Sequence, residues 1–221
     1  MAWLAIHFYG IFAQPVSSWP LLLLVPTLLL QTWLSVGLFI VAHDCMHGAL
    51  APGDPSRNRL VGRIALLTYA GLDYDRTCPA HFDHHRHTGT ADDPDFDIAN
   101  PRHPVRWFVH FFINYYTHMQ IVRITIAACV YMLLGASLLN IAVFWAIPAL
   151  LAVAQLFFFG TFLPHRHANS EFADRHRARS IGPGGLVSLL GCFHFGGYHH
   201  EHHLHPGTPW WRLPSMRKDV R

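Results

Sequence analysis

The chain has 221 residues, of which 52% are hydrophobic and only 13% are charged, against about 25% charged residues in a typical soluble domain. This composition excludes an ordinary soluble domain and indicates one membrane domain, residues 1–221, with a confined polar part. The net charge of +3, without a basic run interleaved with aromatics, argues against nucleic acid as a partner. Four scattered cysteines without a CxxC pair predict neither a disulfide framework nor a thiolate zinc site.

The first apolar segments differ in length. Residues 2–13 are too short to cross a bilayer and have no signal-peptide pattern, so we interpret them as a half-span or a truncated first span. Residues 19–42 are long enough to cross. This crossing is expected to end at His43, which places the first histidine pair where the helix leaves the membrane.

The middle of the chain contains both apolar and polar segments. Residues 58–72 are apolar but contain arginines, so an interfacial or buried helix is expected rather than a crossing. Residues 88–104 are rich in Asp and Pro and predict a loop. Residues 105–119 are aromatic and predict an amphipathic interfacial helix.

A long apolar block follows. Residues 121–140 and 141–163 fit two antiparallel crossings with a tight turn near Gly135. Pro164 ends the second crossing, and a shorter apolar stretch, residues 186–195, precedes the last histidines.

The charged residues follow the same division. All 16 Lys and Arg lie in residues 57–123 or 166–221, and residues 1–43 and 124–165 carry no charge. Lys and Arg favour the cytoplasmic side of membrane proteins. The predicted fold is therefore all-α: an integral membrane helical protein with two or more transmembrane hairpins and a cytoplasmic, histidine-rich helical cap.

The chain has 19 histidines, and they are the candidate metal-binding residues. Imidazole is the commonest protein ligand for mid-to-late first-row metals, and residues three and four apart share one face of a helix. Each histidine group is therefore expected to point its nitrogens at one spot. The groups are an HxxxH pair and two HxxHH trios, with His165 at a helix exit as a ninth candidate ligand: His43 and His47; His81, His84 and His85; His199, His202 and His203.

Eight or nine imidazoles exceed the four ligands of a structural zinc and suit two metal ions. A bis-histidine haem would use at most two of them. Asp44, Asp83 and Glu201 lie inside the motifs, where their expected role is to accept the free ring N–H of a ligand. The cluster at residues 92–95 is expected to be a more solvated loop.

The remaining histidines are less specific. Five isolated ones are expected to be satisfied structural residues: His7, His103, His110, His118 and His176. Five others lie near the motifs, and their roles stay open: His87, His167, His194, His200 and His205.

Five longer stretches of the sequence resemble those of a known protein family. They are FIVAHDCMHG at 39–48, HHRHTGTADDPDF at 84–96, FGTFLPHR at 159–166, CFHFGGYHHEHHLHP at 192–206 and WWRLP at 210–214. The chain resembles the integral-membrane fatty-acid desaturase and hydroxylase superfamily and, more closely, the bacterial-type β-carotene 4-ketolases. The likeness extends from Trp3 to Pro214.

The resemblance implies a di-iron centre held by the nine histidines, O2 as co-substrate and electrons from a reduced ferredoxin-like donor. The substrate would be a carotenoid from the bilayer. Carbon 4 of its β-ionone ring would be hydroxylated twice, and the diol would lose water to give the ketone. The implied location is a bacterial inner membrane, with the metal site on the cytoplasmic face.

Two alternatives remain. A related enzyme would act on ring carbon 3 or on fatty acyl chains. A non-enzymatic membrane metal carrier would use the histidines as a relay, but carriers usually place ionisable groups inside the crossings, and residues 19–42 and 124–163 hold no charged side chain.

Overall fold

The computed structural model describes residues 1–167, 171–182 and 184–217, and every regular element within them is helical. The all-α prediction is therefore confirmed. In chain order the helices are α1 (Ala2–Phe12), α2 (Leu21–Met46), α3 (Pro55–Ala70), α4 (Tyr74–His87), α5 (Pro104–Tyr115), α6 (His118–Leu133), α7 (Leu138–His165), α8 (Gly185–Cys192), α9 (His199–Leu204) and α10 (Leu213–Met216).

Two helices, α2 with 26 residues and α7 with 28, are long and apolar enough to cross a bilayer. Large apolar side chains on their outer surfaces are exposed, including Leu22 at 87% and Leu29 at 63%. Such surfaces suit lipid better than water. Helix α2 extends beyond residue 42, where the first crossing is expected to end: it continues through His43 to Met46, and Gly48 follows with φ +70°.

The predicted crossing at residues 121–140 is wrong in its extent. Helix α6 ends at Leu133 after 16 residues, and at 1.5 Å per residue it is about 24 Å long, short of a hydrocarbon core of about 30 Å. The chain turns at Gly135, which has φ +97°, and Ser137 caps α7 by accepting from the N–H of Asn140. The tight turn lies where it was predicted.

Helix α7 is not a regular α-helix throughout. It contains two π-helical segments, Ala142–Ala146 and Phe157–Phe162. A π segment is a local widening that rotates the following side chains and is frequent at functional sites. The second one lies immediately before His165.

Local side-chain contacts also determine where other helices begin and end. Residues 88–103 form a loop, as predicted. The predicted helix at residues 105–119 is interrupted: α5 ends at Tyr115, and Thr117 starts α6 by accepting from the N–H of Gln120. Trp107, on α5, is fully buried, and its indole N–H donates to the carbonyl of Asp95.

Asn140, in the first turn of α7, binds the end of α1 and the linker that leads into α2. Its amide nitrogen lies 2.8–3.2 Å from the carbonyl oxygens of Gly10, Ile11 and Gln14, and its amide oxygen accepts from the N–H of Val16. Both long helices therefore begin at one end of the protein and run in the same direction. Their far ends carry histidines.

We predict that Asn140→Leu destabilises the protein by about 2–4 kcal/mol, because it leaves several buried backbone groups without partners. The measurement is the thermal unfolding midpoint in detergent. Leu139→Ala is the control, since Leu139 lies in the same turn and is 58% exposed. Equal midpoints for the Asn140 variant and the parent protein would contradict the role of this side chain.

Candidate metal centre

All nine candidate histidines come together at the far ends of α2 and α7. They form two sets, one of five and one of four, and within each set the ligand nitrogens all lie within 4.8 Å of one another. The five-histidine set is His43, His47, His81, His85 and His202; the four-histidine set is His84, His165, His199 and His203.

Each HxxHH trio is divided between the two sets, so the expectation that one trio serves one spot is wrong. In α4, His81 and His85 belong to the five-histidine set, while His84 belongs to the other. In α9, His199 and His203 belong to the four-histidine set, and His202 belongs to the five-histidine set. The reason is helical geometry: residues four apart lie on nearly the same face of a helix, whereas neighbouring residues are about 100° apart around its axis.

In the four-histidine set, three rings have their outer nitrogen fixed. Nδ1 of His165 donates to the carbonyl of Arg177 at 2.9 Å, and Nδ1 of His199 donates to the carbonyl of Phe195 at 3.2 Å. Nδ1 of His84 lies 2.9 Å from a carboxylate oxygen of Asp93. In the neutral form of each ring these acceptors fix the proton on Nδ1, which leaves Nε2 with a lone pair.

Those lone pairs face one another. Nε2 of His165 is 2.8 Å from Nε2 of His199, which is 3.1 Å from Nε2 of His203. Neutral His165 and His199 repel each other at this distance, because neither Nε2 carries a proton to donate. A cation between them removes the repulsion.

The ring nitrogens of the five-histidine set are as closely spaced. Nε2 of His81 is 2.7 Å from Nε2 of His47 and 3.1 Å from Nε2 of His85, which is 3.1 Å from Nε2 of His202. With a metal–imidazole bond of about 2.1 Å, two ligands at right angles are about 3 Å apart. The spacing in both sets therefore fits one metal ion each, held by nitrogen alone.

Burial keeps most of these rings in the neutral, metal-binding form. It lowers the pKa of His47 to about 4. The pKa values of five further rings are also lowered, by burial first and by neighbouring histidines second: His81, His85, His199, His202 and His203. For His84, burial acts in the same direction, but the charges of Asp93 and Asp95 outweigh it and raise the pKa to about 9.

Asp93 is the functional residue that the sequence analysis missed. It is 3% exposed, and its second carboxylate oxygen accepts from the N–H of Gly89 at 2.7 Å while the first also accepts from the N–H of Asp95. A carboxylate held this firmly orients the His84 ring. The adjacent HxxHH trio and the turn-forming TGTADDP string were the available signals, but no helical spacing connects Asp93 to His84.

The three carboxylates predicted for this role do other things. Asp44 is buried and accepts from the backbone N–H of Trp210, and its oxygen is 4.0 Å from Nδ1 of His43. The side chain of Asp83 is 46% exposed and pairs with Arg86. Glu201 is buried but binds Ser180 and Arg217. None of the three hydrogen bonds a ligand-set histidine in the described part of the chain.

The other histidines lie outside both sets. The five isolated ones include His7, which contacts the hydroxyl of Tyr131 at 3.1 Å, and His103, which begins α5. Among those left open, His200 binds Asp174 at 2.8 Å and His194 packs on Trp210.

One cavity of about 310 Å³ reaches both sets. It is lined mainly by apolar side chains of α2, α3, α5, α6 and α7, and it ends on His43 and His81 of one set and His84 and His199 of the other. This volume is at the lower end of the range for small-molecule sites. An apolar ligand in this cavity therefore contacts the candidate metal ligands directly.

Sequence comparisons agree with this chemistry. The family model described as fatty acid desaturase matches residues 17–123 and 114–221. A beta-carotene ketolase of Paracoccus sp. (strain N81106 / MBIC 01143) is 49% identical over 98% of this chain and 88% of its own length, and one of Paracoccus sp. (strain PC1) is 46% identical over 99% and 88%. A zeaxanthin 4-ketolase of Chlamydomonas reinhardtii is 36% identical over 86% of this chain and 43% of its own length.

We predict that Asp93→Asn lowers metal affinity about 10–100-fold, because a neutral amide holds the His84 ring less well than a carboxylate. Metal bound per chain is measured on purified protein across a chelator series. Asp83→Asn is the matched control, since it changes an exposed carboxylate beside the same trio. Equal metal retention by the two variants would sink the assignment of Asp93.

Proposed function

The chain belongs to the fatty acid desaturase family, and we propose that it is a β-carotene 4-ketolase, an oxygenase acting on the β-ionone ring. Two successive hydroxylations at ring carbon 4 give a geminal diol, which loses water to become a ketone. β-Carotene is converted first to echinenone and then to canthaxanthin. The observation that carries the proposal is that both histidine sets open onto one apolar cavity.

The resident cofactor in this proposal is a pair of iron ions, one in each histidine set. The pair, when bound, supplies the strong oxidant that an unactivated C–H bond requires. Each hydroxylation uses one O2, two electrons and two protons; one oxygen atom enters the C–H bond and the other leaves as water. A reduced ferredoxin-like protein supplies the electrons.

The protein's own residues bind and orient the ring. Phe39 and Ile40 of α2, Trp145 and Leu156 of α7, and Phe195 line the cavity between the lipid-facing parts of the helices and the histidines. These side chains exclude water from the reaction site, and the indole N–H of Trp145 is already donated to the carbonyl of Tyr69. One end ring fits beside the metal ligands, while the rest of the C40 chain extends toward the bilayer.

A substrate dissolved in lipid favours a site that is reached sideways. We place the long helices α2 and α7 across a bacterial inner membrane, with the histidines on the cytoplasmic side beside the arginine-rich segments. The opposite end, at the turn after α6, then lies at the periplasmic side. The electron donor is cytoplasmic in this arrangement.

Expression in bacteria that accumulate β-carotene tests the reaction. We expect the pigment to change from yellow-orange to red, with canthaxanthin in the extract, and we expect His202→Ala to abolish the change because it removes a ligand of the five-histidine set. Pigments are identified by liquid chromatography. Unchanged pigment with well-expressed wild-type protein would count against the proposal.

Other products in the same extracts point to the alternatives. Zeaxanthin indicates oxidation at ring carbon 3, and altered acyl chains indicate a lipid desaturase. Metal analysis of the purified protein separates an enzyme from a metal carrier. Tightly held iron near two ions per chain supports the oxygenase, while readily exchanged zinc supports the carrier.

Cysteine labelling tests the orientation. We predict that Arg86→Cys reacts with a membrane-impermeant maleimide only in inverted vesicles, and that Leu134→Cys reacts only in intact spheroplasts. Arg86 lies beside the histidines with a side chain 65% exposed, and Leu134, at the turn after α6, is 68% exposed. The parent protein gives the background from Cys129, which is also exposed. The reverse pattern would invert the proposed topology.

A further inference from the structure

Thr161 is an unpaired hydroxyl on the wall of the apolar cavity. It lies in the π segment Phe157–Phe162, four residues before His165, and its side chain lines the cavity together with His84 and His199. The residue is 8% exposed. No side-chain hydrogen bond of Thr161 is found within residues 1–167, 171–182 and 184–217.

Three threonines at other helical positions satisfy their hydroxyls locally. Thr27 donates to the carbonyl of Leu23, Thr77 to that of Asp73 and Thr88 to that of His84, each at 2.7–2.8 Å and four residues back. This is the usual bond of a helical threonine. Thr161 does not make it, and its hydroxyl is left available to the cavity.

Several other polar groups on the cavity wall are already occupied by the protein. The hydroxyl of Tyr69 donates to the carbonyl of Ala149 at 3.0 Å, and Tyr115 donates to Asp95. The indole N–H of Trp145 donates to the carbonyl of Tyr69. A buried hydroxyl without a partner is unfavourable, so a ligand in the cavity that bonds to the Thr161 hydroxyl removes this cost.

We propose that the Thr161 hydroxyl binds the 4-hydroxyl group of the singly hydroxylated carotenoid and holds that ring for the second hydroxylation. This inference rests on the proposed function. The parent ring is a hydrocarbon and offers Thr161 nothing to bind. After the first hydroxylation the ring carries one hydroxyl, and the new hydrogen bond retains the intermediate in competition with its escape into the bilayer.

The test compares Thr161→Val, which removes the hydroxyl at nearly constant shape, with Thr161→Ser, which keeps it. The measured quantity is the ratio of 4-hydroxylated to 4-keto pigment in cells that supply β-carotene. We expect Thr161→Val to raise this ratio about fivefold, the change expected for the loss of one neutral hydrogen bond. Thr161→Ser should stay within about twofold of the wild type, because its hydroxyl still reaches the intermediate.

Thr32→Val is the matched control. Thr32 lies on α2, is 6% exposed and also has no partner for its hydroxyl, but it does not line the cavity. We expect it to leave the pigment ratio unchanged. Bound metal per chain, measured on all the variants, should match the wild type, which distinguishes the loss of a ligand contact from damage to the metal centre.

A binding measurement gives a second readout that does not depend on turnover. Purified protein is loaded with 4-hydroxylated carotenoid or with β-carotene, and the pigment retained after washing is quantified. Thr161→Val should lose retention of the hydroxylated pigment only. An unchanged pigment ratio, or equal losses of both pigments, would overturn the role of Thr161. A wild-type protein that forms no 4-oxygenated pigment would instead refute the proposed function, and the binding comparison still decides the role of the hydroxyl.

Discussion

Nine imidazoles, six of them buried and three half-buried, bring their ring nitrogens to within 2.7–3.1 Å of one another, a spacing that a shared cation satisfies. Backbone carbonyls and Asp93 hold the outer N–H of His165, His199 and His84, so these rings cannot relieve the repulsion by changing tautomer. Burial lowers the pKa of most of the other rings, so protonation is no remedy either. A cation in each set would remove this repulsion, and folding around the site would then be coupled to metal binding.

The helices are arranged to deliver these rings to one place. Asn140 holds the start of α7 against the linker that leads into α2, so the two helices finish together, and their last turns carry His43 and His165. Short helices α4 and α9 then supply the HxxHH trios from the side. A trio can serve both sets because its middle histidine points in a different direction from the outer pair. Two adjacent metal ions are the simplest reason for a sequence to repeat this pattern.

The sequence was informative wherever a regular periodicity governs position. It identified all nine histidines of the two sets, because helical spacing and hydropathy together determine where helix ends meet. It failed for Asp93, whose contact with His84 depends on a turn at residues 90–93 rather than on a helix. It also chose Asp83 by proximity in sequence, although that side chain points to solvent and pairs with Arg86. Hydropathy likewise overestimated the crossing at residues 121–140, since an apolar run does not reveal where a helix stops.

The π segment Phe157–Phe162 connects the architecture with the chemistry. It lies near the C-terminal end of α7, where the apolar cavity meets the four-histidine set, and it contains Thr161. In a regular helix a threonine hydroxyl can donate to the carbonyl four residues back, as at Thr27. Thr161, in the wider turn ahead of His165, makes no such bond, whereas Tyr69, Tyr115 and Trp145 on the same wall are paired with the protein. A cavity built this way accepts a hydrocarbon ring but holds its hydroxylated form more strongly, which is the order of preference that a two-step oxidation at one carbon requires.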